Sequence, residues 1–300
     1  MLADPRETIL SLPAFRRLAG KAQVLVAPRD GALRTRLTHT LEVASMARRI
    51  ARALGHDESL AEAIAMAHDI GHPAFGHAGE QALARLAPGG FHHAAHGVRV
   101  LTTLAPDGAI VSPAVLDGVL KHSKGKSGPM FARGPALSTT SAEARIVRAA
   151  DLYAYAWHDL EDAYSLRLVA PTDLPASSTA VLGSDPQHVR STLVAHTIEA
   201  SADGVIRLPD DTERALERLR AHLYEHLYES SLLRAQTERA HGCMSSLFEA
   251  YVADEESVLR LARRAASPAE DTERRAVDFL ASLCDVEALA LESEVLRAAA

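Results

Sequence analysis

From Thr38 to Leu54 the apolar side chains return every three or four positions. Val43, Met46, Ile50 and Leu54 share a stripe with His39, while Glu42, Ser45, Arg49 and Arg52 share another. That period belongs to an amphipathic helix, and it puts His39 at the inward-facing end. The same spacing returns from Ser59 to Asp69, where Leu60, Ile64 and Ala67 make the apolar face and Gly71 and Pro73 stop the run. His68-Asp69 is expected in its last turn. A third helix is expected from Thr140, because Thr140 and Glu143 have capping-box spacing. It carries Val147, Asp151, Tyr155, His158 or Asp159, and Asp162 along one side. Ser123–Thr140 and Leu168–Pro186 are rich in Gly, Pro and Ser and read as loops. The stretch from Asp211 onward reads as long helices with short breaks. Aromatic residues make up only 4% of the chain and β-branched runs are scarce, which favours helix over sheet. The expected fold class is all-α.

At 300 residues, 47% of them hydrophobic, the chain can bury a large core. Neither an internal repeat nor a linker divides it, so a single domain over 1–300 is expected. A net charge of −7 argues against a broad nucleic-acid-binding surface. An anionic substrate would then need a locally positive pocket. Cys243 and Cys284 stand far apart, without the spacing of a disulfide framework or a zinc ribbon. The opening MLADPRETIL lacks an apolar signal core, and no run approaches the ~20 apolar residues of a membrane span. A cytoplasmic protein with no membrane partner is expected.

The chemistry concentrates at His39, His68-Asp69 and Asp151. Neighbours on a helix diverge by ~100°, so one packing stripe does not account for both His68 and Asp69. Imidazole and carboxylate together suit one divalent ion, among Mn, Mg, Co, Ni, Fe or Zn. Taken singly, each has a plainer reading: a core histidine with a hydrogen bond, a helix-end carboxylate, or an aspartate paired with arginine. The following segment, HDIGHPAFGHAGEQAL, places His72 and His77 about a turn punctuated by Pro73 and Gly76. Glycine lets a backbone approach closely, and histidine exchanges protons near neutral pH. His92, His93 and His96 add three more rings.

These residues resemble the HD-domain superfamily, and more narrowly the bacterial deoxynucleoside triphosphate triphosphohydrolases, the dGTPase-like branch. The resemblance covers nearly the whole chain. It runs through SLPAFRRLAGKAQV, RTRLTHTLEVA, AMAHDIGHPAFGHAGE, GFHHAAHGVRV, VLDGVLKHS and ADLYAYAWHDLEDA, with weaker echoes in LYEHLYES, SLFEAY and VDFLASLCD. It implies an HD helical core over about 38–162, with additional N-terminal helices and a C-terminal helical part over about 187–300. It further implies one divalent metal ion on His39, His68, Asp69 and Asp151, and a deoxynucleoside triphosphate substrate hydrolysed to deoxynucleoside and triphosphate. By the same resemblance Arg36 contacts the α-phosphate, Gln23 the sugar 3′-hydroxyl, and Tyr155 and Asp159 line the deoxyribose. A Tyr155 face over C2′ would exclude a 2′-hydroxyl. Lys121, in a basic loop with Lys124 and Lys126, would reach the β- or γ-phosphate. His77 and His93 assist proton transfer, with His72 beside them, and the assembly is a homo-oligomer.

Each substrate contact has an ordinary alternative: Arg36 in an ion pair, Gln23 bonding backbone, Tyr155 in the core, Asp159 as a cap or ion-pair partner, Lys121 as a solvated charge. The sequence also departs from the family. Ala94 and His96 stand where relatives carry Asn and then Gln or Glu, Leu152 follows Asp151 where a charged residue is usual, and the late motif reads Asp285-Val286-Glu287. Two other functions are compatible with such departures. One is a different HD phosphohydrolase, a nucleoside monophosphatase or phosphodiesterase. The other is a catalytically weak nucleotide-binding regulator.

Overall fold

A computed structural model describes residues 4–26, 33–105, 111–123, 140–202, 205–269 and 271–298. Among the described residues the chain is all-α, with fifteen α-helices and no strand. In chain order these are α1 (Pro5–Ser11), α2 (Pro13–Arg17), α3 (Arg36–Leu54), α4 (Glu58–Ala67) and α5 (Gly76–Leu86). Then come α6 (His93–Arg99), α7 (Pro113–Lys121), α8 (Ala142–Ser165), α9 (Ala176–Leu182) and α10 (Pro186–Ala200). The series closes with α11 (Asp210–Leu223), α12 (Ser231–Ala253), α13 (Glu255–Ala262), α14 (Thr272–Ser282) and α15 (Asp285–Ala298).

The helices group into two compact units. The first comprises Met1–Thr38, Ala67–Val111 and Ala235–Ala300, and the second His39–Met66 and Ser112–Arg234. In the first, Leu83 of α5, Met244, Leu247 and Tyr251 of α12, and Val277 and Leu280 of α14 belong to one buried apolar cluster. In the second, α8 is the axial helix and packs on α7, α10 and α11. Trp157, Tyr153, Ile146 and Leu160 of α8 are buried. Burying a large aromatic ring removes ~150–250 Å² from water, roughly 4–6 kcal/mol at ~25 cal/mol per Å². The Tyr153 hydroxyl keeps a partner there, 2.7 Å from Thr197 Oγ1. Gly118 lets α7 close on α4, since a Cβ at that position would lie 2.5 Å from Ile64 Cδ1.

Three local expectations change. Helix α8 starts one residue later than the Thr140 signal suggests: Ser141 is the N-cap, its hydroxyl accepting from the Ala144 N–H at 3.1 Å. A capping serine competes well with threonine, and the Thr140 carbonyl instead accepts from the Arg145 guanidinium. Helix α4 stops at Ala67, so His68 and Asp69 lie in the turn that follows it rather than in its last turn. The stretch Leu168–Pro186 is not all loop, because it holds α9, and Pro186 is the first residue of α10. Asp185 caps α10 by accepting from the His188 N–H at 2.9 Å. Lys124 and Lys126 lie outside the described residues.

Candidate active site

In the first unit the turn after α4 presents His68 and Asp69, both buried. His68 Nε2 is 3.5 Å from Asp69 Oδ1. The buried Arg36, first residue of α3, donates from Nη1 to Asp69 Oδ2 at 2.6 Å. Burial alone would raise the Asp69 carboxyl, but the charges at His68 and Arg36 outweigh it and hold the group well below the usual carboxylate range. Gly76 makes room for this arrangement. Its φ is +54°, and an added Cβ would lie 2.6 Å from Arg36 Nη2 and 2.8 Å from the Ala22 carbonyl. Phe75 before it also has positive φ, at 64°, so the turn reverses sharply and starts α5 beside the guanidinium.

Glu80 then collects the histidines. On α5, His77 and Glu80 are one turn apart, with His77 Nδ1 3.1 Å from Oε2. The other carboxylate oxygen accepts from the His93 backbone N–H at 2.8 Å and lies 2.8 Å from His93 Nδ1. Burial raises the Glu80 carboxyl, yet the bonds from His77 and His93 win and hold it far below its ordinary value. A carboxylate only accepts, so Nδ1 is the protonated nitrogen of both rings, which assigns proton exchange to Nε2. His72 stacks on His93 with centroids 4.0 Å apart, and its Nε2 is 3.3 Å from Asp69 Oδ1. Burial pushes the His72 imidazole well below its ordinary value, so it is neutral at pH 7. The ligand atoms of His72, His77 and Glu80 lie within 4.8 Å of one another.

Backbone ties hold the Gln23 segment to this face. The Arg36 N–H donates to the Lys21 carbonyl at 3.0 Å, beside an isolated antiparallel bridge between Ala22 and Thr35. Asp285 clamps two loops at once, accepting from the Ala22 N–H at 3.1 Å and the Phe75 N–H at 2.8 Å. The Lys21 ammonium is buried and donates to the carbonyls of His72 (2.5 Å) and Ala281 (2.8 Å); burial pushes it down to about 8. Gln23 is buried too, and neither its amide nitrogen nor its carbonyl oxygen has a hydrogen-bond partner among the described residues. An orphaned buried amide costs about 1–3 kcal/mol, a cost that a polar ligand group would remove. His96 points elsewhere: its Nδ1 faces Arg274 Nη2 at 3.1 Å, and Asp278 Oδ1 is 3.9 Å away. It does not supply the polar group missing at Ala94, and the carboxylate beside His93 is Glu80.

In the second unit, His39 of α3 is fully buried. Its Nε2 is 3.1 Å from Asp151 Oδ1 of α8, and its ring centroid is 5.2 Å from that of Tyr155. Asp159, also buried, accepts from the Tyr228 hydroxyl at 2.9 Å through Oδ2. Burial first, then the neighbouring Asp159 charge, push the Tyr228 phenol well above its ordinary value. Lys121 pairs with Asp117 on its own helix at 2.6 Å. Leu152 is buried.

Within each unit one imidazole nitrogen and one carboxylate oxygen lie 3.1–3.5 Å apart. Such a borderline N/O donor set fits a divalent transition metal or Mg. The sequence does not single out Glu80, Lys21, Asp285 or Tyr228 as site residues. The i,i+3 spacing of His77 and Glu80 was the one available signal; the others depend on tertiary packing.

An HD domain matches residues 36–156, and a phosphohydrolase-associated domain matches 206–294. A deoxyguanosinetriphosphate triphosphohydrolase-like protein of Caldanaerobacter subterraneus is 36% identical over 295 residues, spanning 97% of this chain and 83% of that protein. The chain belongs to the deoxyguanosinetriphosphate triphosphohydrolase-like family of HD-domain proteins. A likeness of the same degree holds for the protein of that description from Desulfatibacillum aliphaticivorans, 36% identical over 95% of this chain and 84% of its own. A hypothetical protein from Aquifex aeolicus shares the fold, with a TM-score of 0.52 at 15% identity over 96% of this chain and 67% of that one. The family supports a metal-dependent phosphohydrolase. No described helix is long and apolar enough to cross a membrane.

Proposed function

We propose that the protein hydrolyses deoxynucleoside triphosphates to deoxynucleoside and intact triphosphate. The observation that carries this reading is the orphaned Gln23 carboxamide, tied through the Ala22–Thr35 bridge to the segment that begins α3 with Arg36. A buried amide without a partner calls for a polar ligand group, and Arg36 carries the fork that bonds phosphate oxygens bidentately. A sugar hydroxyl and a phosphate joined in one molecule answer both. The name shared by the relatives, deoxyguanosinetriphosphate triphosphohydrolase-like protein, supports a nucleoside triphosphate of the deoxy series.

In this reading His39, His68, Asp69 and Asp151 hold one divalent ion. A bound ion would polarise the α-phosphoryl oxygens and activate a water. Arg36 offsets the charge that develops on those oxygens. Water adds to the α-phosphorus, the bond from phosphorus to the 5′ oxygen breaks, and the 5′ oxygen takes a proton. Nε2 of His77, whose Nδ1–H is fixed on Glu80, takes the proton that the attacking water loses and passes it to the 5′ oxygen. His93 shares that carboxylate, and neutral His72 orders the group by stacking on it. Tyr155 and Asp159 line the deoxyribose, where the Tyr228 hydroxyl already orients the Asp159 carboxylate. Lys121 would have to leave Asp117 to reach a distal phosphate. Assembly into a homo-oligomer belongs to the same proposal and is measured by light scattering. The test of the reaction is product analysis with Gln23→Ala beside the wild type. A raised KM for deoxynucleoside triphosphates with little change for tripolyphosphate inhibition supports the role given to Gln23. Unchanged KM removes it.

A further inference from the structure

We infer that Lys21 is a positioning residue for the reaction, its ammonium a strut that holds the turn bearing His72 and His77 on the α14–α15 junction; this rests on the reading of those histidines as the proton-transfer group. Lys21 is 3% exposed. Its Nζ donates to the His72 carbonyl at 2.5 Å and to the Ala281 carbonyl at 2.8 Å, and among the described residues it makes no ion pair. Ala281 lies in the last turn of α14, where carbonyls lack helical donors and form the negative end of the helix dipole. The Arg17 guanidinium donates to the next carbonyl, that of Ser282, at 2.8 Å. Cations suit that end of a helix, which accounts for a buried ammonium held by carbonyls.

The turn depends on such outside support. Its backbone bonds end with the His72 N–H on the Asp69 carbonyl at 3.0 Å and resume with the Ala78 N–H on the Phe75 carbonyl at 3.1 Å. Between them Pro73 has no N–H to give. Two side chains fix that gap. Lys21 holds the His72 carbonyl at its start. Asp285, the first residue of α15, holds the Phe75 N–H at its end, at 2.8 Å. Both bonds lead to the same short stretch between α14 and α15. Gly71, just before the gap, packs so closely on α6 that a Cβ would lie 2.1 Å from the His93 carbonyl. The turn is thus gripped between the junction and α6, and the place of His72 in that grip sets its 4.0 Å stack on His93. The Lys21 carbonyl also accepts the Arg36 N–H at 3.0 Å. One residue therefore registers the arginine assigned to the phosphate against the histidines assigned to the proton. Misplacing such groups by ~1 Å can cost ~10²-fold in rate.

The test uses the full chain with Mn and the deoxynucleoside triphosphates, and measures released triphosphate. Lys21→Met keeps the volume and the main-chain bond to Arg36 but removes the donors. It should lower kcat by ~10–100-fold with KM within about threefold of the wild type. Lys21→Gln, polar but too short to span both carbonyls, gives the same split should Lys21→Met fail to fold. Lys21→Ala leaves room for the lost propylammonium group. n-Propylammonium chloride should restore its turnover, and propan-1-ol, of similar shape without the charge, should not. Hydrogen exchange followed by mass spectrometry reports the strut without turnover. In Lys21→Met the amides of residues 71–76 should exchange faster, and those of α8 at the wild-type rate. A wild-type kcat in a folded Lys21→Met or Lys21→Gln overturns the strut, as does rescue by propan-1-ol equal to that by propylammonium, or unchanged exchange at 71–76. A wild type that releases no triphosphate, together with faster exchange in Lys21→Met, refutes the proposed reaction and supports the strut.

Discussion

His96 makes stability depend on pH in a way that one substitution should remove. The ring is buried and pushed down to about 3 by that burial, against an ordinary 6.5. Geometry requires the same neutral form, because Nδ1 faces an Arg274 N–H at 3.1 Å and must accept it. Protonation would set donor against donor. The folded-state value lies below the unfolded one, so the folded chain holds its full advantage above pH 6.5. It loses that advantage as pH falls from 6.5 toward 3, where the unfolded chain takes up a proton that the folded one refuses. At 1.36 kcal/mol per unit, the loss is about 2 kcal/mol by pH 5 and about 3 kcal/mol by pH 4. Glutamine at this position keeps an acceptor for Arg274 and does not titrate. Urea unfolding of wild type and His96→Gln, followed by far-ultraviolet circular dichroism at pH 7, 5 and 4, measures the difference. The two should lie within about 1 kcal/mol at pH 7 and separate in favour of the variant by about 2 kcal/mol at pH 5. Parallel pH dependence from 7 to 4 would refute the assignment of His96 as a neutral acceptor.

The remaining predictions concern the site itself. Glu80→Gln, which removes the carboxylate shared by His77 and His93, should lower kcat by ~10²–10⁴ with helicity retained; a kcat within threefold of wild type would show that the two rings do not act through it. Because the Glu80 carboxyl is held below its ordinary value, its contribution to stability is complete above about pH 4.5 and falls away in acid, so the same variant should flatten the acid limb of the stability curve. Gly76→Ala adds a Cβ 2.6 Å from Arg36 Nη2 at φ +54°, and should cost ~1–3 kcal/mol in unfolding free energy together with a fall in kcat/KM. Chelation followed by dialysis should abolish turnover and lower Tm, with both restored by added Mn in a concentration-dependent way; turnover that persists in chelator contradicts the ion-dependent reading.

The class of fold was readable because apolar periodicity is local. α3 and α8 announce themselves through Val43, Met46 and Ile50 and through Val147, Tyr155 and their neighbours. The ends were less so. Ser141 and Thr140 are both good caps, and only the tertiary setting of Arg145 chooses between them. Helix α9 hides in a Pro- and Ser-rich stretch where propensity is weak and packing on α11 decides. At the site, residue type pointed to the His-Asp chemistry, while partnership did not show. Nothing in the spacing of Glu80 and His93, or of Lys21 and His72, or of Asp285 with Ala22 and Phe75, reveals that they bond across 13, 51, 263 and 210 positions. His96 lies in the same histidine-rich segment, yet its ring belongs to the Arg274–Asp278 cluster.

The central claim is the bond that breaks. Purified full-length chain and Asp69→Ala would each be incubated with the four deoxynucleoside triphosphates in Mn, Co or Mg, and the products resolved by ion-exchange chromatography. The account predicts deoxynucleoside and intact triphosphate from the wild type and neither from the variant. Inorganic phosphate or a diphosphate as the first product, or no turnover by a chain that has bound its metal, would contradict it.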